Sequence, residues 1–506
     1  MLAAALIGMT ALTADAAMRE WTDQQGRKVT AEFVGTDGAG ATAVVKLKLE
    51  NGRIVPFKVA DLSEADRVFV KSSLPSDVAA LAAEIDKLVL NKMKESFYGL
   101  REEMQGLYTD EHMSVEDKKK RKAEIDQELL MCVPNKKSTD YHFMRRIYLD
   151  VAGRIPTYEE AERFLGDRSR DKRAALIDEL LESEAYAMRM YNYFSDLFRV
   201  REGILMNGNG DLKADPYIEW IKANMRDDKP YDQMVREMLT ATGKLWDDPA
   251  TGYLVSDQGM RLCNLSNTFT IFMGTEITCA QCHDHPFEQV YQKDFYQLAT
   301  FMGETETRGR GRGMMMMGEG AGNYREEASR MSKILFDAGK LRENETEDRQ
   351  LRDIAGTHST FVHDSGSNKV VLPHDYKYDN GLPERPVEPG AYFGDPINLE
   401  KHDSLRDAFA TWVTSKGNPR FTTNIVNRLW KMAFGLGQIE PVDNIPGHLD
   451  GQAQNIELLT FLEQMMQDSG FSIKDFMRVV YNTETYQREA ETLSPSLVQI
   501  DNGTYH

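Results

Sequence analysis

From residue 77 onward, apolar side chains recur at every third or fourth position through long stretches, and this spacing constrains the fold more than any other feature. Leu81, Ile85 and Leu88 keep it, as do Leu100, Met104 and Leu107. Many charges lie between them, so the stretch from Asp77 to Leu130 is expected to form long, partly exposed helices. Phe143, Ile147 and Val151 recur every four residues until Gly153-Arg154-Ile155-Pro156 breaks the helix. Thr157 and Glu160 then have the form of a capping box, in which each side chain satisfies one orphan amide. Leu176, Leu180 and Leu181 share one helix face, and Phe295, Leu298 and Phe301 another. Helical spacing returns after Ser404, with Leu405, Phe409 and Trp412 on one face. A turn at Asn418-Pro419 leads to Phe421, Ile425, Val426 and Leu429, and a last run holds Leu458, Leu459, Leu462 and Met465.

One segment has a period of two instead. Val45, Leu47 and Leu49 alternate with Lys46 and Lys48, the pattern of a half-buried strand. Asn51-Gly52 follows, a pair that tolerates the positive φ of a tight hairpin, and Ile54, Pro56-Phe57 and Val59 form the return strand. Ser63-Glu64-Ala65-Asp66 reads as a helix start. With Arg19-Glu20-Trp21-Thr22-Asp23 at its head and Val59-Ala60-Asp61-Leu62-Ser63 at its end, this segment resembles the Sla-type homology domain. The resemblance implies an SH3-like barrel and a peptide or protein ligand.

At 506 residues, two to four domains are expected; 41% hydrophobic and 28% charged residues mark the chain as globular. The net charge of -19 argues against a nucleic-acid partner, since phosphate binding needs a concentrated positive face. The run Lys118-Lys119-Lys120-Arg121-Lys122 lies among Glu116, Asp117 and Glu124 and reads as a solvated helix face. Leu2 to Leu12 are small and apolar, and Ala14-Asp15-Ala16 supplies a cleavage pattern, so export to the periplasm or the extracellular space is expected. No Lys or Arg precedes the apolar run: either the start lies upstream or this is only an Ala-rich leader. The run is too short to span a bilayer, and no later segment is apolar enough to do so.

The chain has four cysteines, too few for a disulfide-stapled scaffold. Cys132 and Cys263 are isolated and read as small buried hydrophobes or as a bridge to one another. The other two stand in Cys279-Ala280-Gln281-Cys282-His283, the C-x-x-C-H pattern of c-type haem attachment. Two thiols spaced on one turn match the two haem vinyl groups, and the adjacent imidazole reaches the iron as proximal ligand. Other chemistries use the same residues. Cys279 and Cys282 form a C-x-x-C redox pair, or join His283 or His285 on zinc, or are structural. Asp284 and Glu288 are candidates to anchor an imidazole N–H, or plain surface carboxylates. His285 lies too close to His283 to reach the opposite haem face and reads as a supporting or alternative metal ligand. No sixth ligand is assigned among His358, His363, His374, His402 and Met314 to Met317. The methionines follow the repeat from Arg308 to Gly313 in a Gly-rich stretch from Glu304 to Asn323 that reads as a mobile loop. From there to about Phe393 the chain is polar and irregular, an insertion or a connection between domains.

The residues Cys279 to Phe287 resemble the signature of the planctomycete secreted cytochrome-like domain, a domain of unknown function. The block from Phe143 to Thr157 resembles that family's opening motif, so the likeness spans roughly residues 138 to 305. Asn418-Pro419-Arg420-Phe421, Val426-Asn427-Arg428-Leu429-Trp430, Phe434-Gly435-Leu436-Gly437 and Tyr486-Gln487-Arg488 resemble the companion secreted domain that usually follows, here expected to be truncated. Gln289-Val290-Tyr291 departs from the family, which tends to carry a Trp there. The resemblance implies export and haem, but no known reaction.

The expected fold class is therefore mainly α and multidomain: a small N-terminal SH3-like β-barrel followed by two helical domains. The expected division is a signal peptide at 1–17, the Sla-type module at 18–73, a helical linker at 74–136, the C-x-x-C-H domain at 137–305, an irregular connection at 306–397 and the companion domain at 398–506. The leading function is a c-type haem electron-transfer component with thioether links at Cys279 and Cys282, iron ligation by His283 and an unidentified redox partner. The alternatives are a non-redox extracellular scaffold acting through the barrel, and a metal-dependent hydrolase of exported polymers with zinc at His283 and His285. No nucleophile elbow, H-E-x-x-H or phosphate-cradling Gly loop supports other catalysis.

Overall fold

The computed structural model describes residues 18–23, 27–37, 44–49, 52–63, 66, 78–201, 203–205, 211–257, 259–286, 290–308, 361–367, 370–391, 393–394, 396–445 and 453–490. The leader, Met314 to Met317, His358 and Glu288 lie outside them. Most of the described chain is helical, and a small antiparallel sheet stands at its head. That sheet is a meander in the order β1 (Arg19–Thr22), β2 (Lys28–Asp37), β3 (Val44–Leu49) and β4 (Ile54–Lys58). Val45 pairs with Phe57 and Leu47 with Val55, so the alternating residues point to one face. Val45 and Leu47 are buried there with Trp21, Ala31 and Leu62, a small core of their own. Gly52 takes the positive φ of the hairpin turn, 78°. After β4 the chain returns to β1: Asp23 bridges Leu62, and the Ser63 N–H donates to the Thr22 carbonyl at 2.7 Å.

Helix α1 (Val78–Thr109) serves two cores. Ala82 and Ile85 enter the main core, while Phe97 and Leu107 meet Ile125 and Leu129 on α2 (Val115–Met131), and Cys132 just after it, in a separate small one. Ser114 starts α2 by accepting from the Asp117 N–H. Helix α3 (Asp140–Ile147) carries Phe143 and Ile147 into the main core. The expected helix continues past it, but widened into a π turn over Tyr148–Ala152 that keeps Val151 buried and ends at Gly153 with φ 68°. The capping box of α4 (Tyr158–Gly166) is formed: the Glu160 N–H donates to Thr157 Oγ1, and the Thr157 N–H to Glu160 Oε2. Helices α5 (Lys172–Leu181), α6 (Glu184–Leu197), α7 (Asp215–Arg226), α8 (Tyr231–Thr240), α9 (Gly252–Val255) and α10 (Arg261–Met273) follow.

Beyond α11 (Gln292–Ala299) the structure departs from the expected Gly-rich loop. Thr305–Arg308 is a strand, paired with Phe361–Asp364, which in turn pairs with Gly243–Lys244. Thr305, near the start of the low-complexity stretch, is thus paired with Asp364, well beyond its end. Helices α12 (Leu405–Val413), α13 (Phe421–Phe434), α14 (Ile456–Asp468), α15 (Ile473–Asn482) and α16 (Glu484–Gln487) complete the body. One buried apolar cluster runs from Ala82 to Tyr486, so the two helical segments separated in sequence share a core.

Polar residues of α13 join them. A helix leaves its last four carbonyls without intrahelical partners. Two of those of α10 are met by side chains of α13: Asn424 Nδ2 donates to the Ile271 carbonyl at 2.7 Å and the Arg428 guanidinium to that of Thr270 at 3.2 Å. Gly274 closes α10 with φ 55°, and its carbonyl accepts from the Ile445 N–H at 2.6 Å. A methyl group at Gly274 would stand 2.8 Å from Asn424 Oδ1 and 3.0 Å from the Val442 carbonyl oxygen. Gly274→Ala is therefore expected to cost about 3 kcal/mol, left-handed backbone strain adding to overpacking against backbone. A loss under about 1 kcal/mol in urea unfolding would mean that this junction yields freely.

Candidate functional site

The C-x-x-C-H loop springs from this fastened end of α10. Thr278–Gln281 makes a single 3-10 turn, in which the Ala280 N–H donates to the Ile277 carbonyl at 3.0 Å. The Cys282 and His283 N–H groups both reach the Cys279 carbonyl at 3.2 Å. Ala280 is fully buried and pins the turn to the core, while Cys279 is half-buried and Cys282 and His283 are exposed. The apolar residue between the cysteines thus anchors the loop, and the reactive groups face outward.

His283 Nδ1 lies 2.7 Å from the Asp284 carbonyl oxygen. A carbonyl only accepts, so Nδ1 carries the proton and Nε2 keeps its lone pair for a metal. Asp284 therefore holds the imidazole through its main chain, not through the carboxylate that its sequence position suggests. The carboxylate does other work: Asp284 Oδ1 accepts from the Gln292 N–H at 2.8 Å, at the start of α11. Gln292 Nε2 and the Tyr296 hydroxyl both donate to the Gln281 carbonyl, at 3.2 and 3.3 Å. The His285 N–H donates to the Val290 carbonyl at 2.8 Å.

A third element covers the loop, one for which the sequence held no signal. Tyr378 lies 94 positions beyond Asp284, yet its hydroxyl accepts from the Asp284 N–H at 2.9 Å. Lys293 Nζ donates to the Asn380 carbonyl at 2.6 Å, tying α11 to the same segment. Part of the expected irregular connection is thus a wall of the site. Its surroundings are acidic. Burial, with the nearby Asp284 charge, pushes the Asp294 carboxyl above its usual range. Burial likewise raises the Tyr296 phenol, with smaller contributions from Cys282 and Asp375.

The remaining candidates lie apart. All four cysteines carry free thiols: Cys132 is buried in the α1–α2 core and Cys263 is exposed on α10, so no bridge joins them. His402 Nδ1 pairs with Asp407 at 2.7 Å, His363 lies 3.9 Å from Glu306, and His374 is exposed. Among the described residues no three His, Cys, Asp or Glu side chains converge as metal ligands. Zinc requires such convergence of up to four donors. Haem c requires two separately accessible thiols and one imidazole nitrogen, which Cys279, Cys282 and His283 supply. Cys279, Cys282 and His283 are the residues that would hold such a group.

Two family models match the chain in sequence order. PSCyt2, a protein of unknown function (DUF1549), matches residues 123–307, and PSD1, a protein of unknown function (DUF1553), matches residues 405–505. No curated protein and no solved structure matches.

Proposed function

We propose that this chain, a PSCyt2 domain followed by a PSD1 domain, is an exported c-type haem protein and an electron-transfer component. Cys279 and Cys282 would hold the haem through thioether links, and His283 Nε2 would ligate the iron. The group, when bound, supplies reversible one-electron transfer. The observation that supports this reading is the 2.7 Å contact of His283 Nδ1 with the Asp284 carbonyl, which leaves Nε2 as the nitrogen that would ligate. Ala280 anchors the turn, while Gln292 and Tyr296 brace the Gln281 carbonyl, so both thiols stand on a fixed loop. Exposure of Cys282 and His283 leaves this face open to a redox partner.

The apolar leader at 1–17 supports export, and covalent attachment suits a compartment into which free haem would be lost. The N-terminal meander is read as an SH3-like, Sla-type module. Its strand order and the return of Leu62 to Asp23 support that reading, with a peptide or protein as ligand.

The test is expression of the full chain with a c-type maturation system. A Soret band that survives acid–organic extraction is expected, at roughly one haem per chain. A protein that emerges colourless, or with stoichiometric zinc in its place, would sink the reading.

A further inference from the structure

We infer that segment 370–391 belongs to the C-x-x-C-H site as a strap, and that Tyr378 is a positioning residue for His283. The inference rests on the haem reading above and adds a regulator of that site to it. Three hydrogen bonds carry it, in series. The Tyr378 hydroxyl accepts from the Asp284 N–H at 2.9 Å. Asp284 Oδ1 accepts from the Gln292 N–H at 2.8 Å. The Asp284 carbonyl accepts from His283 Nδ1 at 2.7 Å. Residue 284 is thus held at its amide and its carboxylate, and its remaining polar group faces the imidazole.

The strap has its own footing, which a clamp requires. Val371 bridges Pro386, the Leu372 N–H donates to the Arg385 carbonyl and the Glu384 N–H to that of Leu372, both at 3.0 Å. Leu372 and Tyr376 are buried in the main core. Gly381 lets the strap fold on itself: a Cβ there would stand 2.6 Å from Leu372 Cδ1. Tyr376 packs edge-on against Tyr378 at 5.5 Å and donates its hydroxyl to Asn380, whose carbonyl takes Lys293 Nζ from α11. The Tyr378 hydroxyl is therefore placed by core packing, independently of the loop it meets.

A hydrogen bond from the far ring nitrogen raises the basicity of a ligating imidazole. A more basic imidazole favours ferric iron and lowers the reduction potential. Freeing the Asp284 peptide weakens that bond, so Tyr378→Phe raises the potential. The expected shift is about tenfold in the reduction equilibrium, or ~59 mV for one electron.

The test has two arms. In haem-free protein, Tyr378→Phe is expected to speed hydrogen exchange of the Asp284 amide by at least about tenfold. Tyr108→Phe, which removes an exposed hydroxyl on α1 away from the strap, leaves it unchanged. Equal exchange in Tyr378→Phe and the unsubstituted chain would overturn the clamp. In haem-loaded protein the midpoint potential of Tyr378→Phe is compared with that of the unsubstituted chain, and an unchanged potential would overturn the positioning role. Absence of covalent haem in the unsubstituted chain is failure of the parent reading; the exchange arm then decides the clamp by itself.

Discussion

Replacing Cys279 and Cys282 together by alanine is expected to abolish covalent haem while leaving the fold as stable as before. Each thiol would form one of the two links, so the double variant retains only the iron–imidazole bond, and acid–organic extraction breaks that. The protein side should be indifferent. Cys282 is exposed, Cys279 is half-buried, and neither belongs to a core cluster. The hydrogen bonds that shape the loop come from the main chain of Ile277 and Cys279, and the buried anchor is Ala280. Substitutions at such positions usually change stability by less than about 0.5 kcal/mol. Extraction of haem from the matured variant, with urea unfolding of the same sample, checks both halves. Haem that stays attached excludes these thiols as its links, and a large loss of stability would identify them as structural instead.

Removal of the Asp257 carboxylate should have the opposite profile, a loss of about 3 kcal/mol with the attachment loop untouched. Asp257 is 5% exposed and accepts from three side chains. The Arg199 guanidinium takes both of its oxygens, Asn264 Nδ2 donates to Oδ2 at 2.7 Å, and Asn267 Nδ2 to Oδ1 at 2.9 Å. Arg199 follows α6 with a φ of 58°, a conformation that side chains rarely adopt, so this pairing also holds a strained turn in place. Asp257→Ala leaves a mostly buried cation and two amides without their acceptor, and breaking such a pair is far costlier than never having had it. Asp257→Asn keeps the shape and one acceptor oxygen and should lose roughly half as much. Urea midpoints at constant m-value give the comparison. A loss below about 1 kcal/mol for the alanine variant would show that water replaces the carboxylate, and that the network is not a support of the α6–α10 junction.

Much of the helical architecture was legible in the sequence because burial imposes a period. Phe143 and Ile147, Leu176 to Leu181, Phe421 to Leu429 and Leu458 to Met465 lie in the core as their spacing predicts. The Thr157–Glu160 box and the Gly52 turn were legible for a different reason. Their partners are three or four residues apart, so local chemistry decides them. The π turn at Tyr148–Ala152 escaped, since a period near four describes an α-helix and a widened turn almost equally well. The strand at Thr305–Arg308 escaped because its partner lies beyond more than fifty residues of polar chain.

The candidate site divides along the same line. Its reactive atoms are local: two thiols and an imidazole within five residues are determined by sequence alone. Their support is not. That Asp284 holds His283 by its carbonyl, that Gln292 takes its carboxylate, and that Tyr378 takes its amide depend on where α11 and the strap come to rest. Those resting places are set by packing of Phe295, Leu298, Leu372 and Tyr376 into a core shared with the last third of the chain. Hydrogen bonds between residues that far apart leave no periodic trace, because they are selected by the completed core and not by neighbours in sequence. The sequence by itself determined which atoms can react; only the tertiary structure decided which way the imidazole faces and what holds it there.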